Sequence, residues 1–95
     1  REELAAVLAV QLGKVDLGIE QLRLLIDVPE AVDEQKAKWL AQIGAWELRL
    51  RNNEERFREA LKEIIRRFPQ TSQAFAAQRR LFLLEQERPA TLAVP

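Results

Sequence analysis

The sequence contains no cysteine, no histidine and no tyrosine, and Ser72 is its single serine. Disulfides and thiolate metal sites are therefore excluded, and the redox compartment is left open. A serine–histidine–aspartate or cysteine–histidine constellation cannot be assembled from these side chains. Glycine is scarce, and Gly13 and Gly18 lack the Lys-Ser/Thr ending of a phosphate-binding loop. An excess of one charge is missing too: Lys and Arg total 15, Asp and Glu total 15, and the net charge is zero. A nucleic-acid binder needs a positive excess to displace counterions from phosphates, so nucleic acid is not an expected partner. No apolar run approaches the roughly 20 residues that span a bilayer, so membrane insertion of this segment is not expected either.

Acidic pairs do occur, at Glu2-Glu3, Asp33-Glu34 and Glu54-Glu55. Each lies near a predicted helix start, where carboxylates favour the positive end of the helix dipole. Nothing around them suggests the cleft that separates two pKa values for acid/base work. Calcium-loop spacing is absent. The expectation is a chain with no catalytic residue, no metal site and no cofactor, and hence not an enzyme.

What remains is the composition of a small folded, soluble domain: 95 residues, 47% apolar and 32% charged. A chain this short buries only about 60–65% of its unfolded surface, so its core is modest. It opens at Arg1 without an initiator Met or a signal-like segment. It is read as a piece of a longer protein, with any targeting signal or anchor outside it.

Apolar residues recur at helical spacing throughout, and strand alternation is absent. Leu4, Leu8 and Leu12, widened by Val7, define a first stripe that Gly13 ends through a left-handed turn. Val15, Ile19, Leu22 and Ile26 form a second, with Asp16 as a candidate N-cap and Val28-Pro29 as the break. Val32, Trp39, Ile43, Trp46 and Leu50 form the third and longest. Asn52-Asn53 makes a tight turn, and Asn52 followed by Glu55 resembles a capping box. Phe57, Leu61, Ile64, Ile65 and Phe68 give the fourth stripe, stopped at Pro69. Thr71 or Ser72 caps a fifth helix marked by Ala74, Ala77, Leu81 and Leu84, widened by Phe75 and Phe82. Arg88-Pro89 is expected to end it. The predicted helices span 2–12, 15–27, 31–51, 54–68 and 72–87, all in one domain over 1–89, with 90–95 as a tail or linker. Short turns make consecutive helices antiparallel neighbours.

Residues 2–29 resemble a tetratricopeptide repeat, with small Ala6 in one helix, Leu12-Gly13 at the turn and small Gly18 in the next. The stretch Phe57-x3-Leu61-x2-Ile64-x4-Pro69 is similar to that repeat's second helix. Phe68-Pro69-Gln70-Thr71 leading into Ala77-x2-Arg80-Leu81 looks like the variant found in bacterial envelope-assembly and cell-division coordinator proteins. The chain departs from the pattern at Phe57, where the family prefers alanine, and by one extra residue between Gly44 and Phe57. The resemblance implies an all-α fold: antiparallel hairpins in a right-handed superhelix, five helices making about two and a half repeats. It also implies a bacterial cell-envelope location, periplasmic or membrane-tethered, with the cytoplasm left open. Other helical-hairpin arrays share such spacings, and a plain helical bundle is the remaining alternative.

In the resembled family the first helix of each hairpin lines a concave groove. The resemblance therefore implies a scaffold that binds a partner peptide or helix between helices 1, 3 and 5. The candidate lining is Val7, Gln11, Gln42, Ala45, Arg49, Ala76 and Arg80. The Lys/Asn clamp of the chaperone-binding subset is missing, since Glu3, Val7 and Val10 occupy that region of helix 1. Arg49, Arg51, Arg66 and Arg67 sit near helix C-termini, where the dipole alone accounts for them. Arg49 and Arg80 could also pair with acidic partner residues. Trp39 and Trp46 read first as core and second as binding anchors. Gly44, with Ala41 and Ala45, reads as a small patch that admits helix 2 or helix 4 closely.

The alternative to a groove is self-association. Helix 1 is apolar over most of its circumference, and helix 5 carries Leu81, Phe82, Leu83 and Leu84 in succession. One neighbour cannot cover either, so another copy, most simply in a two-fold dimer, or other parts of a parent protein are expected to.

Overall fold

The computed structural model describes residues 2–92, with side chains described for residues 2–87. Its elements are α1 (Glu2–Ala6), which runs on as a π-helical segment (Val7–Gln11), then α2 (Val15–Ile26), α3 (Asp33–Arg51), α4 (Glu54–Arg67) and α5 (Ser72–Leu92). The described residues are thus all-α, five helices with no strand. α5 continues past Pro89, so the expected break at Arg88-Pro89 is not where the helix ends. Residues 93–95 of the expected tail lie outside the described residues.

The first hairpin reverses the expected roles of its side chains. Ala5 and Ala9 are buried, whereas Leu4 and Leu12 are half exposed. Gly18 on α2 explains this. A Cβ there would stand 2.7 Å from the Ala5 carbonyl oxygen and 2.8 Å from the Ala9 Cβ. The two helices touch nearly backbone to backbone, and only alanine fits between them. Leu22 and Ile26 continue that buried face. Gly13 takes the left-handed turn as expected, at φ 69°. Asp16 does not cap α2; the helix starts one residue before it, at Val15. Its carboxylate instead accepts a hydrogen bond from Arg51 across to α3.

The second hairpin holds most of the bulk. Ala37, Leu40, Ile43 and Trp46 on α3 meet Phe57, Leu61 and Ile64 on α4. Val32 and Leu50, expected in that stripe, are exposed, and Trp39 is only half buried. Gly44 does sit at the helix crossing: a Cβ there would lie 3.1 Å from the Ala60 Cβ and 3.4 Å from Phe57. In the tight turn Asn52 adopts a left-handed conformation, φ 54°, and ends α3. The cap of α4 is therefore Asn53, not Asn52, and its Oδ1 accepts from the Arg56 amide at 3.0 Å.

α5 packs on α4 and α3 through Ala74 and Ala77. Thr71 is its cap: its Oγ1 accepts from the Ala74 amide at 3.2 Å and donates to the Phe68 carbonyl at 2.7 Å. Ser72 has a different task. Its amide (3.0 Å) and hydroxyl (2.5 Å) both donate to the Glu34 carboxylate in the first turn of α3. Glu34 thus pins the start of α5 to the start of α3. A second tie joins α2 to α4, where Arg23 donates twice to Glu63 at 2.8 and 3.1 Å.

Candidate functional site

These ties leave a cavity of about 460 Å³ on one side of α3. Glu2 and Ala6 of the first helix form one wall, with Leu22 behind, and Gln73 of α5 reaches in from the other. α3 supplies the floor: Gln35, Lys38, Trp39, Ala41, Gln42, Ala45 and Trp46. Positions 35, 38, 42 and 45 follow the three-and-four spacing that keeps residues on one helix face. Small side chains at Ala6, Ala41 and Ala45 leave the space open beside the two indoles. Trp46 is buried and serves the core, while Trp39 is half exposed. The Trp39 Nε1 has no hydrogen-bond partner among the described residues.

The chemistry of this groove is amide and aromatic. Gln35, Gln42 and Gln73 each offer one acceptor and two donors. Glu2 and Lys38 contribute one charge of each sign, so these lining side chains carry no net charge. Nothing in it resembles a nucleophile or a proton-transfer pair. Among the described residues no group of three or more acidic side chains is placed to hold a metal ion. No described helix is long and apolar enough to cross a membrane.

Of the seven residues expected to line a groove, Gln42 and Ala45 do so. Val7 and Gln11 do not; Val7 lies one position, about 100°, further round the helix than Ala6, Gln11 follows Val7 by four positions on nearly the same side, and both are exposed. Arg49 and Ala76 are exposed but lie outside the cavity wall. Arg80 turns its guanidinium over the Phe57 ring, 5.4 Å from the centroid, and is also outside. Sequence reasoning missed Gln35, Lys38 and Gln73. The signal for the first two was present, since they precede Gln42 by seven and four positions.

A larger hollow of about 640 Å³ lies between α4 and α5, lined by Glu54, Glu55, Arg58, Glu59, Lys62 and Glu85. Its central cation is already used: Arg58 donates to Glu54 at 3.0 Å and to Glu85 at 3.3 Å. Glu63 is held similarly on the opposite side of α4. Burial pushes its carboxyl up, but hydrogen bonds and charge from Arg23 and Arg67 outweigh this and hold it below the ordinary carboxylate range. Arg58 and Glu63 are thus paired within the molecule, whereas the Trp39 indole in the groove on α3 keeps an unused donor. No family model, curated protein or solved structure matches this chain.

Proposed function

We propose that the chain is a non-catalytic, tetratricopeptide-like interaction module that holds a peptide or helix of a partner protein in the groove on α3. The observation that carries this reading is the convergence of four helices on one open cavity with a tryptophan floor and a glutamine rim. Its volume falls within the roughly 300–1,000 Å³ typical of ligand sites. Glutamine suits peptide recognition because its amide pairs with backbone N–H and C=O groups alike. A tryptophan flanked by alanines suits an apolar anchor side chain. In the same reading the two hairpins and α5 form the first two and a half units of a right-handed array, with α1, α3 and α5 on the inner side.

The test is selection of peptides from a randomised display library against the 95-residue chain, followed by calorimetric titration of the selected sequences. Ala45→Arg fills the groove from its floor. It is expected to weaken binding by at least about tenfold, or 1.4 kcal/mol, with an unchanged melting temperature. Selected peptides that bind Ala45→Arg as tightly as the wild type would refute the assignment.

A further inference from the structure

The first hairpin has a second, opposite side. On the first helix Ala5 and Ala9 point at α2, and Glu2 and Ala6 point into the cavity on α3. Leu4, Leu8 and Leu12 are therefore turned the other way, a quarter turn from the alanines. On α2, Gly18 points at the first helix, while Ile19 and Arg23 point toward α3 and α4. Leu24 is then turned away from the second hairpin, and exposed Leu17, at the start of the same stripe, borders a shallow hollow that it shares with Leu50 and Arg51 at the end of α3. Because the two helices run antiparallel, both leucine stripes fall on the same face. Leu12 is 57% and Leu24 58% exposed there. Two helices thus offer an apolar trough with no second layer on it.

At the other end of the molecule α5 shows the converse shape, a single helix with an apolar ridge. Phe75 is 64% and Phe82 61% exposed, with Leu83 beside them. Arg79 lies between the two phenylalanines on the outward face. Between Leu17 and Leu24 lies Glu20. Among the described residues neither Arg79 nor Glu20 has an ionic partner.

We propose that the trough seats α5 of a second copy of this chain, laid antiparallel on α2, so that copies join head to tail. The registers agree. From Leu17 the charge follows after three residues and the next leucine after four more. Read backwards from Phe82, the charge again follows after three and the next phenylalanine after four. Antiparallel pairing therefore sets Leu17 against Phe82, Glu20 against Arg79 and Leu24 against Phe75. Both apolar spacings are about 10.5 Å at 1.5 Å per residue. The pairing also continues the alternation of helix directions from α2 to α5. A two-fold pairing of α5 on α5 lacks this match, because it brings the two Arg79 guanidinia together with no carboxylate between them. Seat and occupant are different faces of one chain, so the contact is heterologous and does not close on itself. The groove on α3 stays open, and this inference stands apart from the peptide-binding reading.

Sedimentation of the wild-type chain over a concentration series up to hundreds of micromolar is the first measurement. The mass is expected to grow without a fixed end point. Phe82→Glu blocks the ridge and Leu24→Glu blocks the trough; both positions are exposed, so circular dichroism is expected to stay unchanged. Each variant alone is expected to be a monomer, and an equimolar mixture is expected to form a one-to-one dimer capped at both ends. Arg79→Glu and Glu20→Arg form a second pair that alters no buried contact. Each is expected to weaken growth alone, and the double variant to restore it. A wild type that stays monomeric overturns the proposal. So does self-association of Leu24→Glu alone, because that would mean α5 pairs with α5.

Discussion

In the first hairpin a glycine meets backbone; in the second a glycine meets side chains. Gly18 lies against the Ala5 carbonyl and the Ala9 Cβ, so the first helix and α2 approach as closely as helices can. Gly44 lies against Ala60 and the Phe57 ring, with Leu40, Ile43, Trp46, Leu61 and Ile64 around it. The first hairpin gains its closeness by placing leucines outside, and the second gains its burial by placing leucines inside. Close contact and apolar burial are therefore separate devices here, and each hairpin depends chiefly on one.

The contrast can be broken most severely in the second hairpin. Leu40 is fully buried, and Leu40→Ala is expected to cost about 2–5 kcal/mol through lost transfer energy and an unfilled cavity. Leu4→Ala, at a half-exposed position, is expected to change stability by less than about 0.5 kcal/mol. Urea titrations of the two variants measure both; equal losses would mean that the first helix buries its leucines after all.

Next come the glycines. Gly18→Ala forces a methyl group onto a carbonyl oxygen that cannot turn aside, and is expected to cost about 1–3 kcal/mol. Gly44→Leu overpacks by a similar amount. Gly44→Ala is different, since its new methyl needs only a few tenths of an ångström from Ala60. That strain opposes a gain in helix propensity of about 1 kcal/mol, so the net change is expected to be small. Comparing the midpoints of Gly18→Ala and Gly44→Ala sharpens the distinction, and equal losses would remove it.

The smallest expected effect concerns the tie between α3 and α5. The Ser72 hydroxyl and then its amide hold the Glu34 carboxyl below the ordinary carboxylate range. A carboxyl with a depressed folded pKa contributes stability that is fully present above its unfolded pKa and is lost as pH falls through the folded value. Glu34→Gln is therefore expected to melt below the wild type at neutral pH and to converge with it in acid. A difference that persists unchanged at low pH would mean that the carboxylate charge is not what holds Ser72.

Much of the helix plan could be read from punctuation. Gly13, Pro29, the Asn52-Asn53 pair and Pro69 bound the helices because each dictates a backbone geometry that helix interiors refuse. What the pattern could not decide was the inward face of the first helix. Leu4, Leu8 and Leu12 recur every four residues, and so do Ala5 and Ala9; hydrophobicity favours the leucines. The deciding residue is Gly18, which lies on a different helix and whose effect is steric. The site was half legible for a related reason. Gln42 and Ala45 follow from the resemblance, which lays the third helix along the groove, whereas Val7 and Gln11 inherit the misplaced face of the first helix. Gln73 could not be placed without the Glu34–Ser72 contact that sets α5 against α3.

α3 touches α2, α4 and α5, whereas the first helix rests mainly on α2. In a chain of nearest-neighbour contacts the end element opens before the middle one. Amide protons of Leu40 and Ile43 are therefore expected to exchange with deuterium only through global unfolding. Those of the π-helical segment Val7–Gln11, whose only buried residue is Ala9, are expected to exchange through local fraying that leaves the second hairpin intact.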